Sequence, residues 1–452
     1  MSKRIDLLNG NIFESLTKLA LPIMATSLIQ MAYNMTDMIW IGILGSNAVA
    51  AVGASGMFLW FSQAAIVLAR MGGQVKVAQY LGANDRKNAS NYAKSALQLG
   101  IFLTVVYSII MIACAEQLVG FFKLNSADTK KNAVIYLRLV GGCTFLSAVT
   151  QIFTGIITVT GNSKTPFVVT TIGLIINIVL DPVLIFVCNM NVAGAALATV
   201  IAQGVVAGLF ILYAVKDDLI FRNMNIFSAP DFNAFKHIII IGIPSAVQTA
   251  VFSGTGMVIA RFIAGFGDAA VAVQKVGSQI ESISWMTAEG FSMALNSFVA
   301  QNYGAKNYHR AQRGYRDAIG IISIWGFIST AILVFIPGPI FKIFIRESSV
   351  IPIGINYLVI QGYSQLFMCI EIVTSGAFSG YGKTLPPSIV GVVLTAIRIP
   401  LAVLLSRGAL GLDGVWWSIT ISSILKGVVL LVWYIIFINH KFKGSLAEEY
   451  NI

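Results

Sequence analysis

Asp37 is the one ionisable side chain in a 27-residue apolar run, Leu19–Gly45 (LALPIMATSLIQMAYNMTDMIWIGILG), long enough to cross a bilayer. A carboxylate at that depth is costly unless it is paired, protonated or holding an ion, which makes it a functional-site candidate. Gln30, Tyr33 and Asn34 precede it by seven, four and three residues, so the four side chains share one helical face. A second carboxylate, Asp181, stands in NIVLDPVLIF with Asn177 one turn before it, and Thr199 lies in the next apolar run. Oxygen groups of this kind suit a hard cation, and neighbouring carboxylates suit a shared proton, because two adjacent negative charges resist joint ionisation. The plainer alternatives are a hydrogen-bonded packing cluster around Asp37 and a cap or kink at Asp181 ahead of Pro182.

The elements that position these groups follow from composition. The chain has 452 residues, 57% hydrophobic and 11% charged, where a soluble domain carries roughly 25% charged residues. We expect an all-α membrane protein with twelve transmembrane helices, at approximately 16–44, 48–82, 92–116, 133–158, 164–189, 192–215, 236–264, 269–303, 314–338, 352–379, 384–407 and 413–439. The second and eighth runs exceed a bilayer and are expected to project into the cytosol. The net charge of +11 is spread between apolar runs and not gathered in an aromatic-studded patch, so no nucleic-acid partner is expected. Four cysteines without CxxC spacing indicate neither a disulfide framework nor a metal site, and three histidines near helix ends argue against an intramembrane histidine relay. With the N-terminus inside, seventeen Lys and Arg fall in inner segments and six in outer ones. That bias places a multi-pass chain in the inner or plasma membrane with both termini cytoplasmic.

The chain also repeats itself. Shifted by 222 residues, 21–93 aligns with 243–315 without a gap, with fifteen identities that include Pro22/Pro244, Gly45/Gly267 and VAQYLGA against VAQNYGA. Six spans separate the copies, so the halves share one orientation, two parallel six-helix bundles about a pseudo-two-fold axis along the membrane normal. The expected divisions are 1–216, a polar cytoplasmic linker at 217–235, and 236–452.

At a rise of roughly 1.5 Å per residue, Asp37, Asp181 and Thr199 share one depth in the first bundle, about 10–12 Å below the outer surface. The counterpart of Asp37 in the second half is Ile259, so ion coupling is expected in the first. Pro22 supplies a hinge in the first helix. The second half offers Glu281, Trp285 and Glu289 on one face of the eighth run, with Glu371 and Arg398 on later ones. Such an acidic-aromatic stripe can hold an organic cation by charge and cation–π contact. Glu281 and Arg398 are placed to pair structurally. Arg70, on the second run, completes the set of cavity candidates.

LALPIMATSLIQ, TDMIWIGILGSNAVAAVG, AQYLGANDRKNA, GNSKTP, N-x3-LDP and AQNYGAKN, in that order and spread over almost the whole chain, resemble the multidrug and toxic compound extrusion (MATE) transporters of DinF-like and NorM-like type. The resemblance implies the MATE/MOP fold, with no enzymatic activity and no cofactor beyond a coupling ion. It implies export of cationic or amphipathic organic compounds against H+ or Na+ by rocker-switch alternating access, and hence antibiotic resistance. It also implies an N-lobe cation site, possible for Na+, at Asp37, Asn177, Asp181 and Thr199, with Gln30 and Tyr33 at neighbouring positions. The chain departs from NorM-like members in having no seventh-helix carboxylate near Ser253-Gly254, and Glu371 only approximates their tenth-helix aspartate.

Small organic molecules and membrane lipids are the expected partners of a monomer. Two other functions compete. Arg70, Arg261 and Arg398 would suit a flippase for a lipid-linked saccharide or another anionic lipid. An Asp37/Asp181 dyad would suit an intramembrane enzyme, although no nucleophile, metal or hydrolase motif accompanies it.

Overall fold

The computed structural model describes residues 4–122, 126–222, 224–345, 347–408 and 410–441, which are helical almost throughout and contain no strand. The first half holds α1 (Ile12–Ile43), α2 (Ser46–Gly82), α3 (Arg86–Ala113), α4 (Ala115–Gly120), α5 (Ala127–Tyr136), α6 (Thr144–Val159), α7 (Lys164–Pro182) and α8 (Asn191–Val215). The second holds α9 (Phe232–Ala264), α10 (Asp268–Gly304), α11 (Tyr308–Phe335), α12 (Pro337–Phe344), α13 (Ile351–Gly362), α14 (Gln365–Gly380), α15 (Leu385–Ala396), α16 (Arg398–Ser406) and α17 (Gly411–Lys441).

Nine of the described helices are long and apolar enough to cross a membrane, and two bent pairs raise the number to eleven. The pairs are α5 with α6, bent by 42°, and α13 with α14, bent by 46°. Each occupies one run that the sequence presents as continuous. The eighth expected run, 269–303, is a helix of 37 residues, α10, which is not among these eleven. It falls short in apolarity because Gln274, Lys275, Glu281 and Glu289 interrupt it. Two single π-helical turns interrupt the α-helices, one at Leu137–Gly141 and one at Val183–Val187 directly after Pro182. In the second, Cys188 N–H reaches Val183 O at 2.9 Å, so the helix continues past the proline instead of ending there.

The internal repeat is visible in backbone geometry. Gly45 opens α2 at φ 102°, ψ 170°, and Gly267 opens α10 at φ 100°, ψ 172°. Open space surrounds both glycines, so the positive φ and not a close neighbour demands the residue type. One loop further on, Asp85 caps α3 by accepting from Asn88 N–H at 3.0 Å, and Asn307 caps α11 by accepting from Arg310 N–H at 3.2 Å.

By contacts the chain divides into two compact units, Met1–Asp6 with Leu21–Ala246, and Leu7–Ala20 with Val247–Ile452. The division passes through α1 beside Pro22 and through α9 beside Pro244, not through the stretch 217–235. Side-chain bonds and close backbone packing account for the two exchanges. In the second unit, Asn302 donates to Leu7 O at 3.0 Å, and Arg310 donates to Asn9 O at 3.0 Å and Gly10 O at 2.9 Å. In the first, the start of α9 lies backbone-to-backbone on α2, where a Cβ at Gly72 would meet Ile238 O at 2.2 Å and one at Gly242 would meet Leu68 O at 2.0 Å. The Tyr92 hydroxyl also meets His237 Nδ1 at 2.7 Å.

The stretch after α8 is folded onto α3. Asp217 is buried, ion-paired with Arg4, and accepts from Ile220 N–H at 3.0 Å. Gln98 donates to Ile226 O at 2.7 Å and Ser228 O at 2.9 Å.

Candidate functional site

Within the first unit, α1, α2, α6, α7 and α8 line an open cavity of about 490 Å3. Its lining is rich in hydroxyl and amide groups, and Arg70 is the charged side chain among them. Two hydrogen bonds fix its walls: Gln151 Nε2 donates to Gln63 Oε1 at 3.0 Å, and Ser147 Oγ donates to Gln203 Oε1 at 3.0 Å.

Helical spacing sets the coupling candidates at one end of this cavity. Tyr33 lines it, and Asp37 stands one turn further along α1. Asn177 lines it, and Asp181 stands one turn further along α7. On α8, Gln203 and Thr199 both line it. One more turn along each helix come Ile41, Ile185 and Ala195, all buried at 0–1% exposure in a single apolar cluster with Val52, Val140 and Val192. The carboxylates thus lie between a polar chamber and an apolar plug.

Asn177 and Asp181 are each 1% exposed and Thr199 is 7% exposed. In the amide orientation that satisfies both ends, Asn177 donates to Asp181 Oδ2 at 3.0 Å and accepts from Thr199 N–H at 3.2 Å. Thr199 Oγ1 donates to Ala195 O at 3.0 Å, leaving its lone pairs for another donor or a cation. The hydroxyl of Tyr33 bonds to Thr199, and the charges of Asp37 and Asp181 are within electrostatic reach of each other. Asp37 Oδ1 is shielded from solvent and has no hydrogen-bond partner among the described residues. Such an acceptor is expensive to leave unmade. A proton or a cation would complete it.

Gln30 lines the same cavity; the side chain of Asn34 lies outside the described residues. Pro22, inside α1, removes the N–H that would bond to Lys18 O, and Thr26 Oγ1 donates to Pro22 O at 2.8 Å.

Tyr136 was not legible in advance. It ends α5, is 6% exposed, and lies within electrostatic reach of Asp37, Tyr33 and Asp181. Nothing in YLRLVGG marks it, because the contact crosses helices at no sequence period.

The second-unit candidates are placed otherwise than expected. Glu281 accepts from the Tyr357 hydroxyl and does not ion-pair with Arg398 among the described contacts. Tyr357 stands edge-on to Trp416, whose Nε1–H donates to Gln274 Oε1 at 3.0 Å. Arg398 donates to Ser422 Oγ at 2.7 Å and Ser423 Oγ at 3.0 Å and lies 6.0 Å from the Phe252 ring centroid. Glu371 is buried and ion-paired at 3.0 Å with Lys426, a residue the sequence reading passed over. A lone lysine in the middle of the apolar α17 was the available signal. On the face shared by Glu281, Trp285 and Glu289, Trp285 is half-buried and Glu289 exposed, so the three do not meet one environment.

The MatE family model matches the chain twice, over residues 22–183 and 244–404, with starts 222 residues apart. The probable multidrug resistance protein NorM of Thermotoga maritima is 28% identical over 429 residues, covering 93% of this chain and 92% of that one. The multidrug export protein MepA of Staphylococcus saprophyticus is 24% identical over 430 residues, covering 94% and 93%. A solved MATE structure in the bent conformation agrees with a TM-score of 0.90 at 25% identity, covering 99% of this chain and 100% of that one. With its all-helical membrane fold and its doubled match, the chain belongs to the MatE family, whose members are transporters and not enzymes.

Proposed function

We propose that this protein is a secondary active exporter of cationic or amphipathic organic compounds, driven by antiport of H+ or Na+ at Asp37, Asn177, Asp181 and Thr199. The observation that carries the reading is the sequestered Oδ1 of Asp37, without a hydrogen-bond partner among the described residues, one turn beyond the cavity wall and within electrostatic reach of Asp181. Two carboxylates in a water-poor site repel, and one proton or one cation relieves them. Tyr33 and Thr199 supply further oxygens. The multidrug names of its relatives support organic compounds as the cargo.

Exchange requires that ion and cargo favour different shapes of the protein. Pro22, about four turns before Asp37, is where α1 can bend when Asp37 is neutralised. The exporter works as a monomer in the cell membrane by rocker-switch alternating access, with both termini cytoplasmic; residues 1–3 and 442–452 lie outside the described structure.

Proteoliposomes with pH and Na+ gradients imposed separately test the reading. Asp37→Asn should insert and fold yet fail to couple efflux to either gradient. Asp181→Asn should shift the pH or Na+ dependence, with smaller shifts for Asn177→Ala and Thr199→Ala if Na+ is the ion. Wild-type coupling in Asp37→Asn would overturn the site and move the search to Glu281, Glu289 and Glu371.

A further inference from the structure

We propose that the cavity between the first turns of α3 and the segment 218–228 binds a phosphate-bearing anion, the head group of an anionic membrane lipid. The cavity measures about 560 Å3 and is lined by Arg86, Lys87, Lys94 and Arg222. The acid on its wall, Asp218, is committed to Arg222 at 2.5 Å. Cations thus outnumber acids four to one on the lining itself, with Asp85 and Asp231 just outside it in electrostatic reach of Lys87 and Lys94. Loop-charge bias explains a surplus of basic residues on one side of a membrane, but not their convergence on one chamber.

The chamber is held open by bonds within the first unit. Ser90 Oγ donates to Ile220 O at 2.7 Å, and Lys94 Nζ donates to Ser228 Oγ at 3.0 Å. Asn91 Nδ2 donates to Asp231 Oδ2 at 2.6 Å, closing the segment against α3. Asp85 already caps the first turn of α3. An anion here would be held by side chains, not by the helix end.

Two features favour a lipid over a soluble phosphate. Helix α3 is long and apolar enough to cross the membrane, and the chamber sits at the polar end that precedes its apolar run, on the head-group side of that run. The same connecting stretch displays Phe227 at 95% exposure and Phe232 at 76%. Bare aromatic rings beside a basic chamber suit the boundary between head groups and acyl chains, where basic pockets recognise anionic lipids.

The test uses the full-length protein in mixed micelles. Retention of phosphatidylglycerol and phosphatidylcholine is read by native mass spectrometry, with inorganic phosphate as competitor. Wild type should retain phosphatidylglycerol over phosphatidylcholine, and phosphate at millimolar concentration should not displace it. Neutralising one cation should weaken retention roughly fivefold and two about twenty-five-fold, so Arg86→Gln with Lys87→Gln, both exposed, should nearly abolish the preference. Arg316→Gln, an exposed change on α11, should leave it intact. Unchanged retention in the double variant would overturn the site, and full displacement by inorganic phosphate would overturn the lipid assignment.

Discussion

The ion pair between Glu371 and Lys426 allows a quantitative test of what buried charge does in the second unit. Its atoms are 3.0 Å apart, with the two side chains 10% and 8% exposed. Removing one partner of such a pair costs about 3–5 kcal/mol, because the other charge is left buried alone. The two single variants should not be equal. Lys426→Met leaves Glu371 within reach of the Arg398 guanidinium, so its cost belongs near the lower end, about 3 kcal/mol. Glu371→Gln leaves Lys426 and Arg398, two cations that repel each other, and belongs near the upper end, about 5 kcal/mol. The double variant Glu371→Gln/Lys426→Met removes both charges and should cost no more than about 1–2 kcal/mol, since replacing a whole buried pair is often nearly neutral. Reversible unfolding in mixed micelles, compared across the four proteins of the cycle, measures these differences. Equal single costs that add in the double variant would refute the reasoning and reduce the pair to a contact with no electrostatic coupling.

Two further outcomes follow from the loops. Gly45→Ala and Gly267→Ala each force a side chain into a positive-φ conformation, at about 1–3 kcal/mol; unfolding midpoints should fall by similar amounts, and a large inequality would break the structural equivalence of the halves. Asp231 is held below the ordinary carboxylate range, first by the hydrogen bond from Asn91 and then by the N–H of Ala234. A depressed folded value means that its stabilisation is full above the unfolded value, about 3.9, and is lost as pH falls through the lower folded value. Hydrogen exchange across 218–231 should therefore quicken below about pH 4, and Asn91→Ala should bring that quickening to a higher pH; no difference between the two proteins would show that Asp231 does not close the segment.

How much was legible depended on whether a contact has a sequence period. Asp37, Tyr33, Asn177, Asp181 and Thr199 could be grouped because each helix repeats its face every three to four residues and depth follows from rise per residue. Tyr136 and Lys426 could not, since their partners lie on other helices at no fixed spacing. The π-helical turn after Pro182 was hidden because a proline reads as a stop and the compensating i→i+5 bond has no signature of its own. The stretch 217–235 reads as a polar linker from composition alone. Its fold onto α3 rests on scattered bonds from Ser90, Asn91, Lys94 and Gln98.

The exchange of helix starts has a consequence for the molecule's ancestry and engineering. A half-length chain ending in the connecting stretch would carry Leu7–Ala20 without the Asn302 and Arg310 donors that hold it. It would also lack the Phe232–Ala246 segment that covers Gly72. Because the two halves repeat each other, the first helix of a second copy could cover Gly72 in a reciprocal domain swap, whereas Tyr80 and Asn88 stand where Asn302 and Arg310 stand in the second half, so the donors to Leu7–Ala20 would still be missing. Duplication followed by fusion would preserve that swap inside one chain. A cut in the connecting stretch should accordingly yield fragments that are soluble in detergent as a pair and not one at a time.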